Sequence, residues 1–305
     1  MVENEDFFEK LEEQTGTPIP PEQKEAIKTR LKTILTYEPK VGVFGKTGAG
    51  KSSLCNALFG KDVCPVSDVE SCTRDPQEVL LNMGGKDIKL VDVPGVGENK
   101  AHDIEYGKLY NSLLPDLDLV LWVLKGDDRA FSTDAEFYKN IVKPHVNEGK
   151  LPFFFVVNQA DKIEPFREWD ISAHKPGVNQ FANIDKKIEA VARAFEYPKK
   201  QVIAVSANEK YGLVELVDTI AYELPKEKRF GFAREIPKEL RTPELNSRIK
   251  ESWAESVAMS VFDATMNQGL ASAVLVAVGI PELVLKLPLR LGKSILAGLK
   301  SFFTS

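Results

Sequence analysis

The hydrophobic rhythm changes twice along this chain. Residues 5–37 read as helical: Glu22 to Leu35 follows Pro20-Pro21 and sets Ile27, Leu31, Ile34 and Leu35 on one stripe. From Val41 the pattern becomes short apolar runs, Val41–Phe44, Val79–Leu81, Ile88–Val91, Leu119–Leu124, Phe153–Val157 and Val202–Val205. Amphipathic stretches near 51–59, 104–113, 133–143, 182–195 and 213–223 separate most of them. Strands alternating with helices predict a doubly wound, mainly parallel α/β sheet. Beyond Pro225 the strands stop. Thr242-Pro243-Glu244 predicts a helix start, with Leu245, Ile249, Trp253, Val257 and Val261 recurring every fourth position. The expected organisation is an N-terminal helical segment (1–38), an α/β domain (39–226) and a C-terminal helical region (227–305), the two ends forming an all-helical module.

Composition narrows the class. The 305 residues are 43% hydrophobic and 28% charged, which predicts a packed core. A net charge of −5 gives no global field toward nucleic acid. Three cysteines, Cys55, Cys64 and Cys72, lack the spacing of a disulfide or zinc framework and suit a reducing compartment. The acidic start MVENEDFFEK is unlike a secretory signal, and no apolar run reaches membrane-spanning length. A cytoplasmic location is expected.

Candidate chemistry begins at Gly45-Lys46-Thr47-Gly48-Ala49-Gly50-Lys51-Ser52, a full G-x-x-x-x-G-K-[ST] match after an apolar run and before a helical one. Backbone N–H groups there converge on phosphates, Lys51 reaches the β- and γ-phosphates, and the Ser52 hydroxyl ligates Mg²⁺. Asp92-Val93-Pro94-Gly95 follows the next apolar run; Asp92 is placed to hold Mg²⁺ and Gly95 to bring its amide to the γ-phosphate. Between them Thr73 is placed to complete the Mg²⁺ shell and to release after hydrolysis. Asn158-Gln159-Ala160-Asp161 fits an N-K-x-D arrangement whose aspartate accepts from guanine N1–H and N2–H₂. Gln159 stands where lysine is usual, so weaker affinity with unchanged base choice is expected. Ser206-Ala207, after the last apolar run, is the candidate turn toward guanine O6. Lys51, Thr73 and Gly95 are thus the candidate catalytic residues and Ser52, Thr73 and Asp92 the candidate metal ligands. The nucleotide set is Gly45, Thr47, Gly48, Ala49, Gly50, Lys51, Ser52, Ser53, Asn158, Gln159, Asp161, Ser206 and Ala207.

These elements, in this order over residues 39–226, resemble the translation-factor-related P-loop GTPases, with Era/TrmE-like proteins the best match. Gly45 to Gly60 is similar to that branch's phosphate loop and first helix, and Cys72-Thr73-Arg74-Asp75 to its T-T-R-D switch segment. The resemblance implies binding of GTP and GDP with Mg²⁺ and hydrolysis to GDP and phosphate. Gly48 replaces an Asn that helps some members bind an activating K⁺. Val96, after D-x-x-G, cannot orient a water as the glutamine of Ras-like proteins does, so slow intrinsic turnover is expected. Stimulation then falls to a dimer partner, a protein activator or the 97–106 segment, where Glu98 and His102 lie.

Residues 227–305 show no basic G-x-x-G loop and no strand alternation, so no nucleic-acid-binding module is expected. The overall plan also resembles immunity-related and dynamin-like GTPases. From Leu283 to Ser305, Lys286, Arg290, Lys293 and Lys300 fall on one helical stripe with no acids, opposite Leu287, Leu291, Ile295 and Phe302. This pattern suits peripheral membrane contact or packing on the N-terminal helix. The leading expectation is a GTP-hydrolysing switch with a protein effector. The others are a membrane-associated GTPase that dimerises with nucleotide and a scaffold that hardly hydrolyses.

Overall fold

A computed structural model of the chain describes residues 8–9, 12, 18–35, 37, 39–60, 89–92, 107–108, 110–147 and 151–266. Five parallel strands form one sheet: β1 (Lys40–Phe44), β2 (Lys89–Asp92), β3 (Leu119–Lys125), β4 (Phe153–Asn158) and β5 (Val202–Ala204). Their order is β2-β1-β3-β4-β5. The helices wholly within the described residues include α1 (Pro21–Leu35), α2 (Lys51–Phe59), α3 (Ser132–Phe137), α4 (Lys143–Asn147), α5 (Val178–Ala194), α6 (Leu213–Glu223), α7 (Lys226–Glu235) and α8 (Pro243–Met266). Between α3 and α4 the helix widens into a π turn at Tyr138–Val142. The sequence run Val79–Leu81 lies outside the described residues.

Strands β1, β3, β4 and β5 are buried on both faces, which is why they are runs and not alternations. Every residue of β4, Phe-Phe-Phe-Val-Val-Asn, is buried, as is all of β3 but Lys125. On one side an aromatic cluster fills the space: Trp122 meets Phe44, Phe137, Tyr138, Phe153 and Phe155 within 6.4 Å between ring centres. Each such ring stabilises the fold by about 1.5–3 kcal/mol through burial. Burial also pushes the Tyr138 and Tyr197 hydroxyls well above their usual range, and Tyr197 donates to the Phe153 carbonyl at 3.0 Å.

Compactness divides the chain into two units. One comprises Glu38–Leu224 with Glu235–Arg241; the other draws on Met1–Tyr37, Pro225–Arg234 and Thr242–Ser305. In the second unit, α8 starts where the sequence predicts: Thr242 Oγ1 accepts the Leu245 N–H at 3.0 Å. Leu245, Ile249 and Trp253 are buried, and Trp253 packs on Phe230 at 5.3 Å. Among the described residues no helix is long and apolar enough to cross a membrane. The basic tail 283–305 and the apolar segment 269–281 lie outside the described residues.

Candidate functional site

At the carboxyl end of β1 the chain must leave the sheet beside β3. Gly45 does this with φ of 139°, and a Cβ there would sit 2.2 Å from the Val123 carbonyl. No other residue fits that approach. The loop then turns on itself, the Ala49 N–H donating to the Lys46 carbonyl at 3.1 Å. Gly50, at φ of 84°, delivers the chain into α2, and its own Cβ would lie 2.4 Å from Asn158 Nδ2. The first turn of α2 has no acidic residue and no side-chain cap, so the positive end of its dipole faces an anion at the loop. Lys51 folds back over the loop, its Nζ 2.9 Å from the Gly45 carbonyl. Ser52 and Ser53 are half-buried on the same turn, and Thr47 and Gly48 are exposed at the loop's crest.

The second half of the site hangs from β4. Asn158, at the strand's end, is 1% exposed. Its Nδ2 donates to the carbonyls of Ala49 (3.0 Å) and Gly50 (3.2 Å), and its Oδ1 accepts the Ala207 N–H at 3.1 Å. One side chain therefore ties the phosphate loop to both candidate base loops. Gln159 takes a left-handed backbone, φ 60°, and its Nε2 donates to the Gly48 carbonyl at 2.9 Å. Asp161 is half-buried in the single turn Ala160–Lys162. That turn is held by the Ala160 N–H on the Val205 carbonyl at 3.0 Å. Ser206 is buried; it pairs with Tyr211 through both backbone bonds, and its Oγ accepts the Glu209 N–H at 3.2 Å.

Sequence reasoning missed Gln180. Wholly buried in α5, its Nε2 donates to the carbonyls of Asp161 (3.0 Å) and Ile163 (2.9 Å), fixing the turn that carries the candidate base reader. A buried glutamine on a helix has no sequence signature that separates it from a solvated one. The N-terminus of α5 is in turn held by Glu168, whose carboxylate accepts from Asn179 Nδ2 (2.7 Å), the Asn179 N–H (3.0 Å) and the Gln180 N–H (3.3 Å). The Asn179 side-chain bond, with the two backbone bonds behind it, holds that carboxyl below its usual range.

For the candidate metal ligands the structure is partial. The β1–β2 register pairs Val43 with Asp92, which brings the Asp92 backbone to the sheet edge from which the phosphate loop leaves. The Asp92 side chain, Thr73, Gly95 and Val96 lie outside the described residues. Among the described residues no three His, Cys, Asp or Glu side chains group as a metal site.

Comparison with known proteins gives these motifs a family setting. Residues 40–159 match the family model described as 50S ribosome-binding GTPase. The uncharacterised protein YfjP of Escherichia coli K12 is 39% identical over 233 residues, covering 76% of this chain and 78% of YfjP. GTPase Der of Leptospira borgpetersenii is 28% identical over 228 residues, 73% of this chain and 41% of Der. Among solved structures, Era in complex with MgGDPNP and nucleotides 1506–1542 of 16S ribosomal RNA aligns at 25% identity and a TM-score of 0.43, covering 72% of this chain and 67% of Era.

Proposed function

We propose that this chain, which belongs to the Era/TrmE-like P-loop GTPases and so binds and hydrolyses GTP, acts as a molecular switch with Mg²⁺ and slow intrinsic turnover. The observation that supports this reading best is the Asn158 side chain, which holds the phosphate loop and the two base loops to one edge of the sheet. A nucleotide seated there would have its phosphates on the amides from Thr47 to Ser52 and its base against Asp161. Lys51, now on the Gly45 carbonyl, is within a side-chain rotation of that phosphate chain.

The donor set fits Mg²⁺. A serine hydroxyl on the first turn of α2 and a carboxylate at the end of β2 are hard oxygen ligands, the kind Mg²⁺ takes together with phosphate and water. Ser52, Thr73 and Asp92 would hold it, and bound there it would neutralise charge on the γ-phosphate. What the chain's own residues contribute is positioning and electrostatic stabilisation: Lys51 and the loop amides grip the phosphates, and Gly95 leaves room for its amide. Val96 offers no group to align the attacking water, which supports slow turnover and a need for an activator.

Binding of a fluorescent GDP analogue to paired variants tests the assignment. Lys51→Ala is expected to abolish binding. Asp161→Asn is expected to exchange guanine for xanthine preference, because the amide donates where the carboxylate accepted. A guanine preference retained in Asp161→Asn would overturn the base assignment.

A further inference from the structure

Lys46, the second residue of the phosphate loop, has no part in the scheme above, yet its side chain enters the protein. Its Nζ lies 2.6 Å from Oδ2 of Asp134, whose side chain is 1% exposed against 35% for the lysine. Asp134 stands in the first turn of α3, and neither of its carboxylate oxygens has a well-directed hydrogen bond among the described residues. A carboxylate so buried needs a countercharge, and among the described residues Lys46 is the cation in contact with it.

Resting on the GTPase reading, we infer that the Lys46–Asp134 pair is the anchor that sets the shape of the phosphate loop, which makes both of them positioning residues for nucleotide binding and hydrolysis. The tethered residue is the hub of the loop. The Lys46 carbonyl accepts the Ala49 N–H that closes the turn, at 3.1 Å, and Lys51 Nζ approaches the same carbonyl at 3.5 Å. Fixing the Lys46 side chain on α3 therefore fixes the carbonyl that shapes the turn and helps aim Lys51. It also turns a lysine's charge away from the phosphates, leaving their grip to Lys51 and the amides. Burial pushes the Asp134 carboxyl above its usual range, Lys46 opposes that shift, and Asp128 nearby adds to it. The pair is thus a charge contact in a desolvated place, where losing one partner is felt strongly.

The test uses the full chain and three variants: Lys46→Arg, Asp134→Asn and the double variant Lys46→Met/Asp134→Asn. The double variant removes both charges and so leaves no unpaired buried ion, which keeps it foldable even if a single variant is not. Release of a fluorescent GDP analogue and single-turnover GTP hydrolysis are measured well below the melting transition. Asp134→Asn and the double variant are expected to release GDP about tenfold faster and to hydrolyse GTP about tenfold more slowly, since small misplacements of a reacting group are costly. Lys46→Arg, which keeps the ion pair, is expected to leave both rates near those of the unaltered chain. A folded double variant with wild-type release and hydrolysis would overturn the inference and leave the pair a packing contact. Failure of the GTPase reading would look different: the unaltered chain itself would not bind GDP.

Discussion

At Gln159 the amide nitrogen donates to the Gly48 carbonyl at 2.9 Å, while its oxygen accepts from Lys162 Nζ at 3.1 Å. The cation absent from position 159 therefore stands three residues later, in contact with the residue that replaced it. The contact is exposed, so its loss should be modest: Gln159→Ala is expected to weaken GDP binding about twofold to tenfold, the span of one ordinary hydrogen bond. Titration with the fluorescent analogue checks this, and an unchanged affinity would make the Gly48 contact incidental. Gln180 is a larger case, because it is buried and serves two carbonyls. Gln180→Leu should destabilise the protein by about 1–3 kcal/mol in urea unfolding, through carbonyls left unpaired. It should weaken GDP binding while keeping guanine over xanthine, since the Asp161 side chain is untouched. At this scale the sequence displays Lys51, Asn158 and Asp161, because fixed spacing in a motif marks them. Gln180 and Asp134 are not marked. Their importance comes from packing against turns distant along the chain, and nothing in their own neighbourhood of sequence announces it.

Among the elements, the strands were the most legible. Phe153–Val157 is apolar because both faces of β4 are covered, and a run of that kind survives any error in phase. The amphipathic pattern places helix α5 from near 182, whereas it begins at Val178. Val178 and Phe181 are 85% and 59% exposed, so its first turn runs against the amphipathic pattern. Its cap is also remote: Gly177 offers no side chain, and Glu168 reaches in from outside the helix. That cap is a charge, which gives it a pH signature. The native carboxyl titrates below its unfolded value because Asn179 and the backbone bind the charged form. Its stabilising effect is therefore complete above the ordinary carboxylate range and drains away as pH falls through the depressed native value. Glu168→Gln should lower the thermal midpoint at pH 7, and the gap to wild type should close in acid. A gap that stays constant with pH would mean that the charge does not matter at this helix end.

For the whole molecule, the division into two units has a thermodynamic consequence. Every described residue of the candidate site belongs to the unit that holds the sheet, together with Trp122 and Trp169, whereas Trp253 belongs to the helical unit. The helical unit draws on both chain ends. Periodicity alone cannot say which distant helices pack together. In this unit Lys226 pairs with Glu255 at 2.5 Å, and Arg229 donates to Ser252 at 3.2 Å. A ligand stabilises what it binds by RT ln(1 + [L]/Kd), about 2.7 kcal/mol at a hundredfold excess over Kd. That increment acts on the unfolding of the unit that contains the nucleotide, and two units need not unfold as one. Urea unfolding followed by tryptophan fluorescence can separate them, because Trp253→Phe leaves only Trp122 and Trp169 to report. With GDP, the midpoint in this variant should rise as the logarithm of free nucleotide. The Trp253 contribution, taken as the difference between the intact chain and the variant, should rise less. Equal shifts in both signals would show a single cooperative unfolding event that carries nucleotide binding from the sheet unit into the helical one.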